Sequence, residues 1–146
     1  MFEFLKAPRV ANDKTFKLPE RGTVGAAGYD FYLPEYIQIN RHATAKISSG
    51  VCWKTTKEAQ EFGMFNFYGD LTIRSSMSTR LELLAGDIDM DYEYPNEIII
   101  KIRNRTRDTV ILKKGDRICQ MIVTPFLING DSVKNVRVGG FGSTGV

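Results

Sequence analysis

Short apolar runs separated by turn residues fill the chain, and within several of them apolar and polar positions alternate at a period of two. The first half carries such runs at Phe2–Leu5, Tyr29–Leu33, Tyr36–Ile39, Thr44–Trp53 and Phe62–Ile73. Leu81–Met90, Glu97–Arg103, Thr109–Leu112 and Arg117–Val123 follow, punctuated by Pro95-Asn96, Lys114-Gly115-Asp116 and Asn129-Gly130-Asp131. Because a strand sends successive side chains to opposite faces of a sheet, this pattern predicts an all-β sandwich or barrel. Helical signal is thin: Thr56–Glu61 and Ser75–Arg80 each predict a turn or two, short of ordinary helix length. No repeat, low-complexity tract or linker interrupts the chain, so residues 1–146 read as one domain.

Composition narrows the chemistry. Hydrophobic residues make up 42% of 146 residues, charged ones 25%, and the mean hydropathy is -0.22, all ordinary for a chain that buries its own core. The longest apolar stretches, around Ile98-Ile99-Ile100 and Met121-Ile122-Val123, are too short to span a bilayer, and the start lacks the features of a signal peptide. The expected location is therefore cytoplasmic, with no membrane contact. Cys52 and Cys119 sit in apolar strand-like runs and are expected as core thiols. With His42 the only histidine, multi-histidine metal sites and most Ser/His/Asp or Cys/His arrangements drop out, leaving carboxylates, hydroxyls, arginines and backbone. The net charge of +3 is dispersed rather than striped, so no direct DNA binding is expected.

Three constellations stand out. Arg74-Ser75-Ser76 follows a predicted strand, where a guanidinium fork, two hydroxyls and free turn amides could hold phosphate oxygens; taken alone it reads as a capped turn. In Gly86-Asp87-Ile88-Asp89-Met90-Asp91-Tyr92 the aspartates alternate, so an extended backbone would line one face with carboxylates; a cation or polarised water and an exposed acidic edge are both open explanations. The terminal Gly139–Val146 run has too little apolar surface to order alone, yet its Phe141 offers a stacking ring. It reads as a flexible lid over residues 139–146 that orders on a ligand. Together they describe a nucleotide pocket.

Ala26-Ala27-Gly28-Tyr29-Asp30, Arg74-Ser75-Ser76, Gly86–Tyr92, Gly115-Asp116-Arg117-Ile118-Cys119-Gln120 and Gly139–Gly145 resemble, in order, the five motifs of trimeric dUTP pyrophosphatases, the dUTPases. The resemblance implies a distorted jelly-roll homotrimer with shared active sites, hydrolysing dUTP to dUMP and pyrophosphate with magnesium. This activity keeps uracil out of DNA and supplies the thymidylate precursor. It implies Asp89 as the water-orienting carboxylate, and Arg74, Ser75, Ser76 and Gln120 on the phosphates. It further implies that Gly86 and Ile88 lie beside the base, Tyr92 under the deoxyribose, and Phe141, Gly142, Ser143 and Thr144 in the closing tail. Asp30 would reach magnesium only through water, which suits an ion reluctant to dehydrate.

The sequence departs from the motifs in four places. Glu93-Tyr94-Pro95-Asn96 lengthens a turn usually centred on glycine, Asp87 replaces an apolar residue, and Arg137 stands one residue nearer Phe141 than the tail arginine, followed by Val138. Residues 53–69 also form a longer connection, which is either core packing or a partner-binding patch of Phe65, Phe67 and Tyr68. Two rival readings follow: a nucleotide-sensing regulator that uses this patch, and a dCTP deaminase relative. The second is disfavoured because Lys101 stands where that family carries a glutamate.

Overall fold

The alternation in the sequence is realised as strands, none of them long enough to bury a core without a partner sheet. The computed structural model describes residues 2–58, 66–85, 87–89, 97–127 and 129, with backbone alone at 85 and 87–89. Its strands are β1 (Phe2–Lys6), β2 (Tyr29–Tyr32), β3 (Ile37–Ile39), β4 (Thr44–Thr55), β5 (Phe67–Ile73), β6 (Leu81–Ala85), β7 (Asp87–Asp89), β8 (Glu97–Asn104), β9 (Val110–Leu112) and β10 (Arg117–Pro125). One antiparallel sheet runs β1-β4-β8-β6, a second runs β2-β10-β5-β7, and β3 pairs with β9. The fold is therefore all-β. Pro8–Val10 is a 3-10 turn, residues 57–58 begin a helical turn, and 75–80 form a series of tight turns from Met77 N→Arg74 O to Leu81 N→Met77 O. Among the described residues no helix is long and apolar enough to cross a membrane.

Ile98, Ile100 and Ile102 alternate inward from β8 and meet Leu71, Cys119 and Met121 of the other sheet in one core cluster. Each such isoleucine contributes about 1.5–3 kcal/mol relative to leaving it exposed. Trp53 reaches across from β4 to Gly69, where an added Cβ would stand 2.5 Å from Met121 Sδ and 2.9 Å from the indole, so only glycine lets the two sheets approach there. The edge strands β1 and β2 are joined by rings rather than hydrogen bonds: Phe4 meets Tyr29 and Phe31 edge-on at centroid distances of 5.4 and 6.1 Å.

The run Leu81–Met90, expected as a single strand, is divided: β6 pairs with β8 in the first sheet and β7 with β5 in the second. The chain thus changes sheets between β6 and β7. Cys119 is wholly buried, as expected of a core thiol; Cys52 is only partly so. Phe67 is core, which removes it from the exposed patch considered for 53–69, and Tyr68 is half-buried against Phe126. Phe65 lies outside the described residues.

A buried amide ties the sheets to the small β3–β9 ribbon. Asn104, fully buried, donates from Nδ2 to the carbonyls of Ile39 (3.0 Å), Asn40 (3.2 Å) and Asp108 (2.7 Å), and its Oδ1 accepts from Thr106 N at 2.9 Å and Thr106 Oγ1 at 2.8 Å. Asn104→Ala strands these groups and should lower the unfolding free energy by about 2–4 kcal/mol in urea titrations. The thiols give a second check. Burial pushes the Cys119 thiol up to about 12 and raises that of Cys52 as well, so an aromatic disulfide reagent should label Cys52 slowly and Cys119 only after unfolding.

Candidate active site

β10 lies between β2 and β5, and this placement collects the polar cluster. Gln120 is in register with Asp30 on one side and Thr72 on the other; Arg117 is in register with Tyr32. Regular alternation would put Arg117 and Gln120, three residues apart, on opposite faces. A register shift between Arg117 and Cys119 prevents this: Ile118 and Cys119 are consecutive residues, both wholly buried, and the residues flanking them emerge on one side. The bulge is held by Arg74 N→Ile118 O at 3.1 Å and, just before it, by Leu33 N→Asp116 O at 2.9 Å.

These residues border a cavity of about 280 Å³ lined by Asp30, Arg74, Ser75, Arg117, Gln120 and the loop residues Gly22, Thr23, Ala26 and Gly28. The loop is set by Asp30 N→Glu20 O at 2.9 Å and by Arg21 Nη1, which donates to the carbonyls of Val24 (2.8 Å) and Ala26 (3.2 Å). Asp30 is 9% exposed, and its two oxygens are divided between two arginines: Oδ1 is 3.4 Å from Arg74 Nε and Oδ2 3.4 Å from Arg117 Nη1. Two guanidinium groups against one carboxylate leave one positive charge facing the cavity. With the Ser75 hydroxyl and the Gln120 amide alongside, the cavity suits a multiply charged anion such as a polyphosphate.

Gly28 shapes the floor. A Cβ there would collide with Gln120 Oε1 and stand 2.7 Å from its Cδ, so glycine lets the amide lie across the loop. Nearby, the Tyr32 hydroxyl donates to Glu20 Oε1 at 2.7 Å; burial and then this acceptor raise its pKa and keep it a neutral donor.

Of the expected site residues, Asp30, Arg74, Ser75 and Gln120 come together, and Ser76 falls outside the cavity lining. Ile88 and Asp89 lie on β7, in register with Gly69 and Tyr68. Tyr68 is in turn opposite Thr124 of β10, four residues from Gln120. The Asp89 backbone is thus about 13 Å along the strands and about 10 Å across them from that of Gln120 in the same chain. Gly86, Tyr92, Arg137, Phe141, Gly142, Ser143 and Thr144 lie outside the described residues, as do Asp91 and the 93–96 turn. Nothing in the three-residue spacing of Arg117 and Gln120 foretells the bulge that brings Arg117 to this cavity.

No group of three or more metal-ligating side chains occurs among the described residues. Asp30, already neutralised by two arginines, offers no cage for a bare divalent ion. A divalent ion there would meet this paired carboxylate only through the ion's own water shell.

A sequence model of the dUTPase family matches residues 14–145. The deoxyuridine 5'-triphosphate nucleotidohydrolase of Paramecium bursaria Chlorella virus 1 is 33% identical over 136 residues, covering 88% of this chain and 89% of the relative. That of Desulfitobacterium hafniense is 32% identical over 152 aligned positions, covering 97% and 96%. The dUTPase of Streptococcus mutans superposes with a TM-score of 0.70 at 28% identity, over 88% of this chain and 98% of its own. The chain belongs to the dUTPase family.

The Gly28 contact is open to test. Gly28→Ala should displace the Gln120 amide and weaken binding of inorganic pyrophosphate or a nucleoside triphosphate by about tenfold, a loss the size of one charge-assisted hydrogen bond, with little change in thermal stability. Unaltered affinity would show that Gln120 is not held by this approach.

Proposed function

We propose that the chain hydrolyses dUTP to dUMP and pyrophosphate by attack of water on the α-phosphorus. The observation that carries this reading is the cavity in which Arg74, Ser75, Arg117 and Gln120 surround a single carboxylate, in a chain of the dUTPase family. An anionic leaving group needs preorganised donors more than it needs a strong base. Arg74, Ser75 and Gln120 supply them on the pyrophosphate side. Asp89 orients and polarises the attacking water, a task of positioning.

In this reading Asp30 would hold magnesium through the ion's water, and the ion when bound would supply neutralising charge for the phosphates. Gly86 and Ile88 contribute backbone groups to the uracil, Tyr92 packs on the deoxyribose, and the 139–146 segment closes over the bound nucleotide through Phe141, Gly142, Ser143 and Thr144. Arg137 is the tail cation nearest that lid in sequence.

The gap between the Asp89 backbone and the phosphate cluster, about 13 Å along the strands and about 10 Å across them, supports a site completed by another copy of the chain. A homotrimer with shared sites meets that need: β7 of one protomer would face the Asp30–Arg74–Gln120 cavity of its neighbour. Each protomer then works as one unit spanning residues 1–146, in the cytoplasm of a cell or of a virus's host.

Pyrophosphate release from dUTP, dCTP, dTTP and UTP, with magnesium, tests the reading. Turnover of dUTP should exceed that of UTP by about 100-fold or more. It should fall when the chain ends at Val138. Asp89→Asn should lower kcat by about 100-fold or more while nucleotide affinity changes little. No release from dUTP would overturn the assignment; full activity in Asp89→Asn would remove Asp89 from its role.

A further inference from the structure

We propose that Arg117 is a positioning residue that keeps the Asp30 carboxylate paired while Arg74 transfers to the substrate's phosphates. This rests on the reading that Arg74 is a phosphate ligand. Asp30 is 9% exposed, so its charge needs a partner within the protein. With Arg74 alone, phosphate capture by that arginine would leave a buried carboxylate uncompensated, and Asp30 would compete with the substrate for the same guanidinium. The second contact changes the balance. Arg117 holds Oδ2 at 3.4 Å while Arg74 holds Oδ1 at 3.4 Å, so each arginine has an oxygen of its own and one can leave without orphaning the other's partner.

The two arginines are not equivalent. Arg74 opens the turn that carries Ser75, and its amide is fixed by Ile118 O at 3.1 Å, so its side chain starts from the rigid rim that also presents the Ser75 hydroxyl. Arg117 is anchored beside Tyr32, whose hydroxyl is already engaged by Glu20, and its side chain is 45% exposed. Both side chains border the same cavity, and the contacts to Asp30 are long enough to exchange. Asp30 therefore acts as a resident stand-in for phosphate, and Arg117 sets how readily it releases Arg74.

The test is a double-substitution cycle read by calorimetry. Binding of a dUTP analogue with a non-hydrolysable α–β bridge is measured without magnesium, so that any role of Asp30 toward the metal is silent. Arg117→Gln should weaken binding about 10- to 100-fold, the range typical when a supporting partner of a site residue is lost. In an Asp30→Asn background, where no carboxylate needs holding, the same substitution should cost at least about fivefold less, what remains being the loss of one positive charge from the cavity. Asp30→Asn alone should bind at least as tightly as wild type. Arg117→Lys should stay within about threefold, because a single N–H to one oxygen is the whole contact. If Arg117→Gln does not fold, Arg117→Met keeps the stem's packing and serves in the same cycle.

Equal losses in both backgrounds would make Arg117 a direct ligand contact and overturn the proposal, as would unchanged affinity in Arg117→Gln. A wild-type protein that fails to bind the analogue both with and without magnesium would instead remove the dUTP reading, and this inference with it.

Discussion

The bulge at Ile118-Cys119 is the constraint on which the site depends. β10 must pair with β2 and β5 at once, and both pairings bury its apolar residues against the opposite sheet. A perfectly regular β10 would satisfy that requirement and still send Arg117 and Gln120 to different faces. Burying two residues in succession resolves the conflict: the core keeps Ile118 and Cys119, and the polar pair emerges together beside Asp30. The hydrogen bond from Arg74 N to Ile118 O then fixes the rim of the cavity to the same irregularity. The local strand distortion and the functional geometry are thus one feature.

Charge within the cavity is arranged to be available rather than neutralised. One largely buried carboxylate facing two guanidinium groups leaves a net positive surface, and the 3.4 Å separations are those of a loose pairing, open to a competing anion. Around it the backbone is specified by small devices: Gly28 admits the Gln120 amide, and Arg21 pins the loop carbonyls. Catalysis by donors set in advance requires this sort of rigidity, since a donor that must be organised during the reaction returns much of its benefit.

How much of this could be read from the chain differs by feature. The strands of β4, β8 and β10 were legible because their alternating or continuous apolar patterns are long enough to exclude other periods. The division of Leu81–Met90 was not, because its mixed apolar and acidic pattern cannot say which sheet each half joins; only pairing with β8 and with β5 decides that. The Asp30, Arg74, Ser75 and Gln120 cluster was expected from ordered motifs, and the cavity unites those four. Ser76, adjacent to them in sequence, is exposed and lies outside the cavity lining. Arg117, inside one of those motifs, carries no local signal of its place beside Asp30, because the bulge is not written in the pattern of its own strand.

By itself, then, the sequence determined the all-β class, the approximate strands and the residue types available for chemistry, since periodicity and composition act locally and need no partner. The tertiary structure alone decided which sheet each strand joins, where β10 breaks its alternation and how far Asp89 lies from the phosphate cluster in one chain. Those properties arise from hydrogen-bond registers between segments distant in sequence, and a register exists only once both partners are in place.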